Sequence, residues 1–88
     1  MLQPVPRRAT AERRLACRAM GERIALLRKR LKLSQGDLAE LLDVRQETIS
    51  AWERGVNEVQ VFDAVALADT LHVPLEVLTG RLPLPLPV

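Results

Sequence analysis

The stretch Ser34–Gly55, SQGDLAELLDVRQETISAWERG, predicts two short helices joined by a tight turn. Ser34 is a favourable N-cap residue for the first of these helices, and Asp37 lies at the spacing of a capping box. The same helix has an apolar stripe at the i, i+3, i+4 spacing, formed by Leu38, Leu41 and Leu42. This local pattern predicts that one side of the helix packs into a core.

The second helix of the pair begins near Gln46 and has two different sides. Ile49 and Trp52 lie on an apolar side, and Gly55 suits the left-handed residue that follows a helix. Another side, at spacings of three, four and seven residues, carries Glu47, Ser50, Ala51 and Arg54. Since amide, hydroxyl, carboxylate and guanidinium groups can read base edges in a DNA major groove, this side is a candidate recognition surface.

The run from Leu33 to Gly55 has the pattern L-S-Q-x-x-L-A-x-x-L-x-V-x-x-x-x-I-S-x-W-E-x-G. It resembles the Cro-and-repressor (Xre-type, lambda-repressor-like) helix-turn-helix domains, and the resemblance extends from about Ile24 to Gly80. It implies an all-α, compact five-helix fold with the helix-turn-helix at residues 34–55. Lys32 and Asp43 stand where the family commonly has glycine in a left-handed conformation.

The resemblance also implies which side chains contact double-stranded DNA. The expected phosphate contacts are Gln35, Arg45 and Arg54. The expected base contacts are Gln46, Glu47, Ser50 and Ala51. A glutamine amide can bind adenine through two hydrogen bonds, a carboxylate can accept from cytosine N4, and an alanine methyl can touch a thymine methyl.

Arg28 and Glu53 are expected to form a structural ion pair. In the resembling family an arginine at this position pairs with the corresponding glutamate. Because Glu53 follows Trp52, its carboxylate faces partly inward and requires compensation. The pair would hold the second helix of the motif against the helix that precedes the motif.

Charge is unevenly distributed along the 88 residues, which allow one domain with one small core. Residues 1–33 contain ten Lys or Arg and two acids, a net charge of +8. Residues 34–88 contain three arginines and nine acids, a net charge of −6. A basic first third favours attraction to a phosphate backbone, although a solvated helix face would give the same pattern.

Three segments are expected: a flexible arm at residues 1–9, the helix-turn-helix domain at 10–80 and an extended Pro/Leu tail at 81–88. In the arm, Arg7 and Arg8 are candidate DNA contacts, and a disordered tail is the alternative. Thr10 is a plausible N-cap for a long first helix, whose residues 10–20 form an extension or a separate turn. The tail, RLPLPLPV, either folds over its own domain, crosses to a second subunit, docks on a partner protein or stays free.

Two more helices are expected after the motif. Asn57 and Gln60 have capping-box spacing for a helix from about Glu58 to Leu71. The inward positions of this helix are Ala64, Leu67, Ala68 and Leu71, while Phe62 and Val65 lie off that stripe and are a candidate subunit contact. Pro74 suits the first position of a fifth helix, in which Leu75 and Leu78 pack inward before Gly80.

The residue inventory does not favour an enzyme, a metal site or a cofactor. His72 is the only histidine and Cys17 the only cysteine, with no ligand motif around either and no glycine-rich phosphate loop. No apolar run approaches the roughly 20 residues of a membrane span. A single cysteine and a first segment without a secretion signal lead us to expect a cytoplasmic protein.

The sequence therefore predicts sequence-specific binding of double-stranded DNA by a transcriptional regulator, a repressor that acts as a homodimer on a palindromic operator. The alternative is an antitoxin or protein-interaction module of the same fold, which binds a protein partner, for example through the C-terminal tail. The acidic balance after Ser34, with Glu47 on the presumed reading side, favours that alternative. The salt dependence of binding distinguishes the two.

Overall fold

The structure, a computed structural model, describes residues 8–85 and the side chains of residues 10–85. These residues form five helices: α1 (Arg8–Arg30), α2 (Gln35–Leu42), α3 (Gln46–Glu53), α4 (Val61–Leu71) and α5 (Leu75–Leu78). No strand occurs between residues 8 and 85, and the predicted five-helix all-α fold is confirmed. The expectations for Arg7 and for the last three residues of the tail lie outside the described residues.

Helix α1 is one continuous helix of 23 residues, so the predicted N-cap at Thr10 is wrong. Thr10 lies inside the first turns of the helix, because the surrounding alanines, Glu12 and arginines are good helix formers. A favourable N-cap contributes only about 1 kcal/mol and does not stop a helix that its neighbours support. Residues 10–20 are therefore an extension of α1 and not a separate turn.

Helix α2 begins at the predicted capping box. The Asp37 backbone N–H donates to Ser34 Oγ at 2.9 Å, and the Ser34 N–H donates to Asp37 Oδ2 at 2.9 Å. The helix ends at Asp43 with φ 55°, and α1 is followed by Lys32 with φ 59°. These are the two positions at which a left-handed residue was expected.

Leu41 corrects the predicted apolar stripe of α2. Leu38 is buried and Leu42 is half-buried, but Leu41 is 62% exposed. Adjacent helical residues are rotated by about 100°, and the buried side of α2 is centred on Leu38, Ala39 and Leu42. Leu41 therefore lies at the outer edge, where no other helix covers it.

Helix α4 begins three residues later than expected, and the predicted capping box of Asn57 and Gln60 is wrong. Gln60 is the N-cap in an extended conformation and makes no side-chain cap hydrogen bond. The preceding connection is not helical, and Val59 packs from it against the core. In α5, Pro74 is the N-cap, one residue before its predicted position, and Val77 is buried together with Leu78.

The core lies where α1, α3 and α4 meet, and α2 and α5 close its sides. Its buried members are Ile24, Leu27, Leu38, Ala39, Ile49, Trp52, Leu67, Ala68, Leu71, Val77 and Leu78. From the tail, Leu84 also packs against this core, so the described part of the tail lies along its own domain. The core holds α3 with Ile49 and Trp52 inward, which leaves its opposite side to solvent.

Candidate nucleic-acid interface

A buried ion pair fixes α3 against α1. Arg28 Nε donates to Glu53 Oε2 at 2.6 Å and Arg28 Nη2 donates to Glu53 Oε1 at 2.9 Å, which gives a bidentate pair. The third guanidinium nitrogen, Nη1, donates to the Leu33 carbonyl at 2.9 Å. The side chains of Arg28 and Glu53 are only 10% and 7% exposed, so the pair is largely removed from water. It fixes both the end of α3 and the chain that enters α2.

Gln35 joins the same network from the start of α2. Its Nε2 donates to Glu53 Oε1 at 3.0 Å, so the carboxylate connects α1, α2 and α3. Burial raises the pKa of Glu53, but hydrogen bonds from Arg28 and Gln35, together with the Arg28 charge, lower it further. The pKa of Glu53 therefore lies below its ordinary value of 4.5, and the carboxylate is ionised at neutral pH.

The contact between Gln35 and Glu53 was not predicted from the sequence. Gln35 was expected to hold phosphate, and its side chain is half-buried with its amide nitrogen bound to Glu53. The two residues are 18 positions apart, and no local pattern connects them. Only the packing of α2 across α3 brings them together.

The outer side of α3 is polar and open to solvent. Gln46, Glu47 and Arg54 are exposed and Ser50 is half-exposed; together with Gln35 they line a shallow depression between α2 and α3. Arg54 Nε donates to Ser50 Oγ at 3.2 Å, which lays the guanidinium along the helix. The depression thus presents an amide, a carboxylate, a hydroxyl and a guanidinium on one helix face.

Ala51 does not belong to this face, and its predicted orientation is wrong. It is only 7% exposed. At 100° per residue it lies about 140° around the helix from Gln46, near the side that packs against the rest of the domain. Its methyl group therefore faces protein, and a contact with a thymine methyl would require the helices to separate.

Arg45 lies at the N-terminal end of α3. It is the N-cap residue, with φ −79° and ψ 151°, and its side chain makes no cap hydrogen bond. The side chain is exposed, next to Gln46 and at the end of the helix where backbone N–H groups point outward. This position suits a contact with an anionic phosphate.

Other chemistry finds little support in the described part of the chain. Between residues 8 and 85, no group of three or more His, Cys, Asp and Glu side chains could hold a metal ion. Cys17 is a free, half-buried thiol, and His72 is the exposed C-cap of α4 with φ 60°. Within the same residues, no helix is both long and apolar enough to cross a membrane.

Comparisons with known proteins agree with this geometry. A solved structure similar to this chain is that of the restriction-modification controller protein C.AhdI from Aeromonas hydrophila. The two are 29% identical with a TM-score of 0.67, and the match covers 70% of this chain and 94% of that one. A comparison with curated proteins found no match. The model of the helix-turn-helix family matches residues 24–78, more than half of the chain. The chain therefore belongs to the helix-turn-helix family, a membership that supports DNA binding in transcription regulation.

Proposed function

We propose that this protein binds double-stranded DNA sequence-specifically and represses transcription as a homodimer on a palindromic operator. The observation that carries the proposal is the open polar face of α3, which the Arg28–Glu53 pair holds in a fixed orientation on the domain. A rigid helix with a solvent-exposed polar side fits a DNA major groove. The similarity to a restriction-modification controller protein supports regulation as the outcome of binding.

In the proposed complex, Gln46 reads a base and its neighbours set the position of the helix. Gln46 is exposed in the first turn of α3, the part of a recognition helix that reaches base edges. Glu47 would accept a hydrogen bond from cytosine, and Ser50 lies one turn after Gln46 on the same side. Arg45 and Arg54, at the two ends of α3, would contact phosphates. Gln35 would contact phosphate from its backbone at the start of α2, because its amide nitrogen is bound to Glu53.

Dimerisation is part of the proposal because one helix-turn-helix usually covers only a half-site. Helix α4 presents Val61 and Phe62 with 79% and 81% of their surfaces exposed, and Val65 lies on the same exposed stretch. Large apolar side chains at such exposure favour a contact with another protein surface. We assign this contact to a second copy of the chain, so the complex should have two-fold symmetry.

The same apolar residues support the second candidate function, in which the domain binds a different protein, as an antitoxin does. The described tail favours it less, because Leu84 packs on the core of its own domain. Binding to DNA should weaken steeply with salt, with a slope of about −0.9 per phosphate contact. Binding of an apolar partner should depend little on salt.

Selection of bound sequences from a random DNA pool tests the proposal directly. We expect a palindromic consensus whose half-sites are about one helical turn apart. Light scattering of the protein on that DNA should give two chains per duplex. Absence of any enriched sequence would overturn the proposed function, and an enriched site bound by one chain would overturn the dimer.

Substitutions on α3 then test the assigned contacts. Gln46→Ala should raise Kd about 5- to 150-fold, equivalent to about 1–3 kcal/mol, and relax preference at one base pair. Arg45→Ala should weaken binding to all sequences alike and flatten the salt dependence. Gln60→Ala is the matched control, because this exposed glutamine makes no side-chain cap bond at the start of α4. Exchanged outcomes for Gln46 and Arg45 would mean that the helix lies differently in the groove.

A further inference from the structure

The N-terminal half of α1 is an addition to the domain that matches the family. The family match begins at residue 24, whereas α1 begins at Arg8. The added segment is seated on α3 by close backbone contacts. A Cβ at Gly55 would lie 2.6 Å from the Arg18 Cα atom, and one at Gly21 would lie 2.5 Å from the Glu53 carbonyl oxygen. The extension therefore has a defined position beside the C-terminal end of α3.

Two arginines of the extension lie beside the polar face of α3. Arg14 and Arg18 are exposed, one helical turn apart on the same side of α1. They line an open groove together with Arg54, and Arg54 also borders the depression that contains Gln46. The surface is thus continuous from the proposed base-reading residues, through Arg54, to the two arginines of α1.

The charges of these two arginines are not neutralised by an ion pair within residues 10–85. The neighbouring Arg13 differs, because it lies on another side of α1 and approaches Glu58, with 4.0 Å between Nε and Oε2. The groove of Arg14 and Arg18 has no acidic side chain among its lining residues. It is a local basic surface in a chain whose residues 34–88 carry a net charge of −6.

We propose that Arg14 and Arg18 bind phosphates of the DNA strand that passes the C-terminal end of α3, and so extend the interface beyond the helix-turn-helix. The inference rests on the proposed function. A helix in the major groove has a phosphate strand at each edge of the groove, and Arg54 marks the edge nearest to α1. Arginine suits this role because its guanidinium stays charged and binds phosphate oxygens through two hydrogen bonds.

Salt-dependent binding to the selected duplex, of about 30 base pairs, tests this assignment. The test variant is Arg14→Gln with Arg18→Gln. The control is Arg13→Gln with Arg81→Gln, which also removes two exposed positive charges and brings the net charge from +2 to 0. Losing two phosphate contacts should reduce the slope of log K against log salt by about 1.8. Between 50 and 200 mM salt, the affinity of the test variant should then fall about twelvefold less than that of the wild type.

The control variant should keep the wild-type slope, and Arg14→Lys with Arg18→Lys should restore most of it by keeping the charges. Equal slopes in the wild type and the test variant, or equal losses in the test and control variants, would overturn the inference. Gln46→Ala in the same assay separates this result from a failure of the proposed function. If base preference depends on Gln46 while all slopes agree, only the role of Arg14 and Arg18 is refuted. If the wild type binds no duplex, both proposals fail.

Discussion

Replacing Arg28 with methionine tests whether the buried pair holds the helix-turn-helix in place. Methionine keeps much of the length of the arginine stem but removes all three donors. Glu53 would lose its 2.6 Å and 2.9 Å hydrogen bonds and retain only Gln35, and the Leu33 carbonyl would lose its donor. Because the Glu53 side chain is 7% exposed, water cannot readily replace the guanidinium.

The expected loss follows from that burial. Removing one partner of a buried pair costs about 3–5 kcal/mol, against about 0–1 kcal/mol for a pair at the surface. A chain of this length has a free energy of unfolding of about 4–13 kcal/mol. In a domain of this size each kcal/mol lowers Tm by about 4–8 °C, so we expect Arg28→Met to lower Tm by about 12–40 °C.

Urea unfolding of four proteins measures the coupling: the wild type, Arg28→Met, Glu53→Met and the double variant. The double variant should be more stable than either single variant, because it leaves no buried charge unpaired. A loss below 1 kcal/mol in Arg28→Met would show that the pair is effectively solvated. Additive effects in the double variant would show that the two side chains do not depend on each other, and either result refutes the reasoning.

Three further predictions concern stability. Because Glu53 has a folded-state pKa below its ordinary value of 4.5, its ionised form stabilises the folded chain at neutral pH, and this contribution is lost as pH falls below about 4.5. Glu53→Gln should therefore flatten the fall in urea midpoint on acidification, and an unchanged pH profile would contradict the assigned cause. Gly21→Ala should lower the free energy of unfolding by about 1–3 kcal/mol although alanine favours helix, because its Cβ would meet the carbonyls of Trp52 and Glu53; a gain in Tm would show that α1 and α3 are farther apart. Lys32→Gly should raise the free energy of unfolding by about 1 kcal/mol, since Lys32 has φ 59°, and thermal melting that shows a loss would indicate that its side chain contributes more than the strain costs.

Several features of the fold could be predicted because their causes lie within a few residues of each other. The capping box of Ser34 and Asp37, the left-handed Asp43 and the inward pair Ile49 and Trp52 are all local patterns. The start of α4 was predicted wrongly because Gln60 and its neighbours offer a plausible local cap that the packing of Val59 overrides. Local patterns name candidate helix ends, and tertiary packing selects among them.

The sequence by itself determined the helix-turn-helix, its capped first helix and the polar character of the outer side of α3, since helical periodicity alone separates polar from apolar sides. Only the tertiary structure decided which residues at the edges of those sides are covered. It buried Ala51, exposed Leu41, and placed the amide of Gln35 on Glu53. It also seated the extension of α1 against Gly55, beside the proposed reading face. The physical reason is that a residue at the boundary of a helix face is buried or exposed by whichever helix packs next to it, and that neighbour is distant in the sequence.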